Sequence, residues 1–184
     1  MLTTLPLTLD TFLEFPETNP ALEFINGEII QKPKPQGEQG ILQARLCAVI
    51  NQNAEPQKIA FAFPELRCVI SGNAIVPDAA VFRWKRIPSK ALGLAENRVE
   101  IYPDWIIEIL SPGQSLTKAL EKLLNCIHQG TEVGWLLNPL EKSILTVLPG
   151  QRVQVLTGES ILPVLDGIHL SLRVGDIFRW LWLD

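Results

Sequence analysis

PDWIIEILSP, residues 103–112, sets one carboxylate, Glu108, inside a run of Trp105, Ile106, Ile107, Ile109 and Leu110. The run reads as a buried strand closed by the breaker Ser111-Pro112-Gly113. An ionised carboxylate is costly in such a strand unless it is paired, hydrogen-bonded or bound to a metal, so Glu108 demands a partner. Downstream, Ser115 is placed to cap a helix whose buried face is Leu116, Ala119, Leu120, Leu123, Leu124 and Ile127, and Gly130 is a fitting stop. Residues 133–137 and 144–148 then read as two strands about a turn at Asn138-Pro139. Short strands are expected up to Leu172, before a last helical turn with Trp180 and Trp182.

Upstream, residues 8–15 read as a short helix. The stretch 22–30, LEFINGEII, reads as a hairpin, because Asn26-Gly27 tolerates the positive φ angles of a two-residue turn. Between 38 and 51 the apolar residues Ile41, Leu42, Leu46, Val49 and Ile50 recur at helical spacing, predicting an amphipathic helix that covers a sheet. Residues 58–63, 66–70 and 75–84 read as strands, and 85–100 as a polar surface loop with a helical turn. Strands mixed with sheet-covering helices place the chain in the α/β or α+β class.

The chain has 184 residues, 47% of them hydrophobic and 20% charged, which suits one globular domain over residues 1–184 rather than a disordered tail. A net charge of −4 excludes a global attraction to phosphate backbones, so contact with nucleic acid must come from local basic patches. The candidates are Arg83, Lys85 and Arg86 in FRWKR, with Lys32 and Lys34 in KPKP. Trp84 among them either stacks on a base or ends a strand in the core. Three scattered cysteines suit reduced thiols, and no apolar run approaches bilayer length, so the expectation is a soluble, cytoplasmic protein. Two histidines leave little for a His-rich metal site or a Ser-His-Asp triad. Chemistry, if present, rests on carboxylates and lysines.

Two Pro-Asp dipeptides offer a partner for Glu108. Asp104 lies four residues away on the same strand, roughly 13 Å off and too far to share an ion. Asp78 lies on another strand and can approach across the sheet. An Asp78 and Glu108 pair would be a sufficient protein contribution to a Mg²⁺ site. On the following helix Lys118 and Lys122 share a face with Asn125 and Gln129. That face is either solvated or aimed, through one lysine, at the carboxylates.

In this order IVPDAAVF, DWIIEILSP and the lysine beyond resemble the PD-(D/E)XK nuclease superfamily. Through LEFINGEII, VPDAAVFRW, EKLLNCIHQG and GWLLNP the chain resembles, over about residues 7–180, a bacterial family of uncharacterised proteins labelled as restriction endonucleases. The resemblance implies a restriction-endonuclease-like mixed β-sheet flanked by helices. It also implies an endonuclease hydrolysing DNA phosphodiesters with Mg²⁺, or Mn²⁺ in its place. Asp78 and Glu108 match the metal-binding carboxylates, Glu23 an early acidic residue, and Lys122 a helix lysine displaced from the strand position of Leu110. Lys118, one turn nearer the strand end, is the other candidate lysine.

Several positions depart from the family pattern: Gln39 replaces a frequent histidine, Lys118 an aspartate and Cys126 a tyrosine. A fold of this kind that has lost its chemistry and serves as a nucleic-acid- or protein-binding module is the alternative. A single active centre per chain, together with apolar Phe178, Trp180, Leu181, Trp182 and Leu183, predicts a homodimer.

Overall fold

A computed structural model describes residues 7–88 and 98–183. Thr8 caps α1 (Leu9–Leu13) by accepting a 3.2 Å hydrogen bond from the Thr11 amide. Strands β1 (Leu22–Ile25) and β2 (Glu28–Gln31) form the expected hairpin, with Asn26 and Gly27 at φ of 53° and 83°. Its register pairs Glu23 with Ile30, and a Lys32 amide to Ala21 carbonyl bond extends the ladder past the last paired residue. Pro33 and Pro35 then bar further pairing. Helix α2 (Gly37–Ala54) buries Gln39, Leu42, Leu46, Cys47, Ile50 and Ala54, a stripe at three- and four-residue spacing.

Next come β3 (Ala60–Pro64), β4 (Arg67–Ile70), β5 (Asn73–Ile75) and β6 (Ala79–Arg83). The single strand expected over 75–84 is thus two strands in two different sheets. The break falls at Val76-Pro77-Asp78, where Pro77 has no amide to give to a ladder and the chain crosses from one sheet to the other. A 3-10 turn, Trp84–Arg86, follows β6, and Trp84 is half-buried. Of the expected 85–100 loop, residues 89–97 lie outside the described residues, and β7 (Arg98–Val99) pairs parallel with β4.

Strand β8 (Trp105–Ile109) is buried at every position. Helix α3 (Leu116–Gln129) is capped by Ser115, whose hydroxyl accepts from the Lys118 amide, and closed by Gly130 at φ 118°. A side chain at that φ would be strained, and a Cβ there would lie 2.6 Å from the Tyr102 hydroxyl, so glycine is the residue the turn accepts. Then follow β9 (Val133–Asn138), β10 (Ser143–Leu148), β11 (Arg152–Thr157) and α4 (Val174–Arg179). Beyond β11 the expected short strands reduce, among the described residues, to one bridge between Ile161 and Arg173.

The architecture is mixed α/β, with two mixed sheets. One has the order β2-β1-β5-β4-β7 and the other β11-β10-β9-β8-β6-β3. The central strand β8 runs parallel to β9 and antiparallel to β6, pairing Ala79 with Ile107 and Ala80 with Ile106. Side chains on a strand alternate between faces. Trp105, Ile107 and Ile109 therefore meet α2 and the C-terminal segment, while Ile106 packs with α3 and residues of the first sheet. Trp105 and Trp135, both fully buried, meet edge to face at 4.6 Å. Glu108 belongs to the Ile106 face, toward α3. No described helix is long and apolar enough to cross a membrane.

Candidate functional site

Glu108 is 2% exposed and Asp78 2% exposed, so neither carboxylate is solvated. Continuing the antiparallel register one step beyond Ala79 and Ile107 sets Asp78 opposite Glu108. Asp78 Oδ2 accepts the Ile109 amide at 2.7 Å, a bond that ties the sheet-crossing connector to the end of β8. The Gln43 side chain donates to the Asp78 carbonyl at 2.8 Å, fixing the same residue from α2. Gln39, also on α2, donates to Asp78 Oδ1 at 3.1 Å, and its own carbonyl oxygen accepts from the Ser111 hydroxyl at 2.7 Å. The position where the sequence departs from the family histidine is therefore wired into the site.

Lys122 reaches in from α3. It is flanked along the buried face by Ala119, Leu123 and Cys126 and is itself 8% exposed. Its Nζ lies 2.6 Å from Glu23 Oε1 and 2.6 Å from Glu108 Oε1. Both contacts are of charge-assisted hydrogen-bond length and hold the ammonium between the two carboxylates. Glu23 also accepts the Val76 amide at 2.7 Å, tying the first sheet's hairpin to the connector. Lys118 stays exposed at the mouth of a cleft of about 280 Å³ lined by Glu23, Lys32, Glu108, Gln114 and Lys122. The two helix lysines thus differ: Lys122 is not on a solvated face, because its side chain falls between Ala119 and Cys126 on the turn that packs inward.

Lys32 is the residue that sequence reasoning misplaced. Grouped with Lys34 as basic surface, it is instead 8% exposed, while Lys34 is exposed. Its Nζ donates to the Val76 carbonyl at 2.6 Å and to Asp78 Oδ1 at 2.9 Å, and lies 3.9 Å from Glu108 Oε2. A signal was available: Lys32 is two residues past Ile30, the cross-strand partner of Glu23, so period-2 alternation aims it at the same side as Glu23.

The cluster holds three carboxylates against two ammonium groups. Burial pushes the Glu108 carboxyl up to about 7, although Lys122 and Lys32 pull it down; Asp78 and Glu23 push the same way as burial. For Lys122, burial favours the neutral amine, yet Glu108 and Glu23 overcome it and hold the ammonium well above its usual range. Lys32 is likewise raised, against burial, by Glu108 and Asp78. Both lysines are charged at neutral pH.

The other suggested basic surface lies elsewhere. Arg83 pairs with Glu132 at 2.8 Å, and Arg86 with Asp104, which also accepts the Arg83 amide at 2.7 Å. These groups sit at the far end of β6 and β8, roughly 16 Å from Asp78 by strand rise. Arg83 and Arg86 therefore brace the fold, and only Lys85 of the three is exposed.

No curated protein matches the chain. A crystal structure from Anabaena variabilis ATCC 29413, described as a "putative nuclease belonging to DUF820", shares 45% identity, with a TM-score of 0.91 over 96% of this chain and 100% of that one. The match of the Uma2 family model, described as "Putative restriction endonuclease", spans residues 9–175 and takes in Glu23, Asp78, Glu108 and Lys122, and so the chain belongs to the Uma2 family.

Proposed function

We propose that the protein is a divalent-metal-dependent endonuclease that hydrolyses DNA phosphodiester bonds in the cleft over Glu108. The observation that carries this reading is the meeting of Glu23, Asp78, Glu108 and Lys122, from both sheets and α3, in one buried cluster beside an open cleft. Buried charge of this density stabilises a fold poorly compared with apolar packing, which favours a chemical role.

Among the described residues no three or more His, Cys, Asp or Glu side chains are grouped as a metal site. Two carboxylates remain, Asp78 and Glu108, and hard oxygens in that number suit Mg²⁺, which keeps several waters. Glu108 Oε2, 3.9 Å from the Lys32 ammonium, is the less closely engaged of its two oxygens. Bound there, the ion would polarise a phosphoryl oxygen and lower the pKa of the attacking water. The chain's own groups do the rest. Lys122 holds Glu23 and Glu108 in place and supplies fixed positive charge where the phosphorane gathers negative charge. Lys118, at the mouth, meets the incoming backbone. Gln39 and the Ile109 amide keep the Asp78 carboxylate from turning away.

Calorimetric titration of Mn²⁺ is expected to show a site that Asp78→Ala, Glu108→Ala abolishes, and the wild-type protein is expected to nick plasmid DNA with Mg²⁺ or Mn²⁺. Equal binding by the double variant refutes the shared site. Leu110, where a strand lysine would complete E-X-K, favours the second reading, a fold that binds without cutting. Metal binding and DNA retention without any nicking would establish that one.

A C2 dimer supplies the two centres that cutting both strands needs. Of the apolar C-terminal residues expected at the interface, Phe178 is buried and Trp180 and Leu181 pack on the core, leaving Trp182 and Leu183 about two-thirds exposed, and the edge strand β11 exposes Val155. Sedimentation at tens of micromolar protein, roughly where a modest interface is populated, is expected to show a dimer; a strict monomer contradicts it.

A further inference from the structure

Lys32 sits where a cation bridging Asp78 and Glu108 would sit. Its ammonium is 2.9 Å from one carboxylate and 3.9 Å from the other, and the side chain is 7% exposed. The position is built rather than incidental. The Val76 carbonyl of the sheet-crossing connector accepts from Nζ at 2.6 Å, and the hairpin ladder holds the Lys32 backbone through its bond to Ala21. Lys34, two residues on and past Pro33, reaches nothing comparable and is exposed. An ammonium and a divalent ion within a few ångströms repel strongly in a buried setting, so both cannot hold the two carboxylates at full strength. Lys32 also lines the cleft that opens toward Lys118, which gives its flexible four-carbon stem somewhere to go.

We propose that Lys32 is a built-in counter-cation. It occupies the divalent-ion position in the metal-free protein, competes with the metal for Asp78 and Glu108, and turns into the cleft, toward the phosphate of the bound strand, when the metal enters. This inference rests on the divalent site proposed above. It makes the resting site stable without metal and the metal-bound site weak until an anionic phosphodiester arrives to receive the displaced ammonium. Lys32 is then a positioning residue for the metal, acting through the two carboxylates.

The test is Mn²⁺ titration by calorimetry, repeated at two alkaline pH values so that proton uptake at the vacated place is read apart from metal binding. Lys32→Met and Lys32→Gln are expected to bind Mn²⁺ about tenfold or more tightly than wild type, because an internal competitor has been removed. Lys32→Arg, which keeps the charge, is expected to show no such gain. A merely structural lysine predicts the opposite sign, since its loss loosens the site. Should both neutral variants lose their fold without metal, Mn²⁺ is expected to restore their far-ultraviolet circular dichroism, and failure to do so overturns the proposal. Affinity in Lys32→Met and Lys32→Gln equal to or below wild type, with Asp78→Ala, Glu108→Ala still abolishing binding, overturns the Lys32 role alone. Absence of Mn²⁺ binding in every protein overturns the divalent site as well.

Discussion

Replacing Lys122 by Met is expected to lower plasmid cleavage by about 10²-fold or more under saturating Mn²⁺, the scale on which loss of one preorganised charge stabiliser is felt. Lys118→Met is expected to change it by no more than about fivefold, the equivalent of the roughly 1 kcal/mol an exposed charge contributes. The contrast follows from position. Lys122 Nζ is fixed at 2.6 Å from both Glu23 and Glu108, so its charge is already in place when the phosphate arrives. Lys118, one turn earlier, is exposed and its side chain must be ordered first. Single-turnover rates for the two variants decide the matter. A large loss in Lys118→Met with Lys122→Met near wild type reverses the assignment, and full activity in both removes lysine from the mechanism.

The same Lys122→Met substitution is expected to destabilise the protein by an amount that grows with pH, reaching about 3–5 kcal/mol above neutrality, the usual consequence of leaving a buried charge unpaired. With both ammonium groups present, burial already lifts the Glu108 carboxyl from 4.5 to about 7. A carboxyl whose folded pKa exceeds its unfolded value contributes its stability in full below the unfolded pKa. That contribution is lost as pH rises through the window between the two. Removing Lys122 takes away the largest influence that lowers the Glu108 value, so the window extends upward and Glu108 protonates in place of pairing. The deficit against wild type is therefore smallest near pH 5 and largest near pH 9, the buried site taking up a proton at the acid end. Lys122 acts with the opposite sign. Raised above 10.5 in the fold, it stabilises wild type fully below that value and ceases to do so only as pH climbs through its folded pKa. Urea unfolding of both proteins at acid, neutral and alkaline pH measures this, and a deficit independent of pH refutes it.

The site depends on a crossing of sheets more than on any single strand. Val76 gives its amide to Glu23 and its carbonyl to Lys32, and Asp78 accepts the Ile109 amide. The connector between β5 and β6 is thus held by the side chains that form the site. The contacts that join the two sheets at this point are the contacts that gather Glu23, Lys32 and Asp78.

Local chemistry made much of this readable in advance. Asn26-Gly27 can be little other than a tight hairpin turn, Ser115 and Gly130 bound a helix by capping, and the stripe of α2 follows from helical spacing, since each depends on residues within a turn or two of one another. Glu108 declared itself because a carboxylate among apolar neighbours carries its energetic problem in the sequence. The ordered motifs also sufficed to point to the family. Which cation meets which carboxylate was another matter. Spacing left Lys118 and Lys122 on a common face and put Lys32 beside Lys34, because period alone does not reveal what lies opposite a face. Packing decided it: the hairpin, the connector, β8 and α3 come from distant stretches of chain, and desolvating three carboxylates together draws in whichever ammonium groups the folded backbone can deliver, namely Lys32 and Lys122. The split at Pro77 was likewise decided by tertiary structure, because a strand's membership of one sheet or another depends on partners far away in sequence, while its own residues specify only that it is extended.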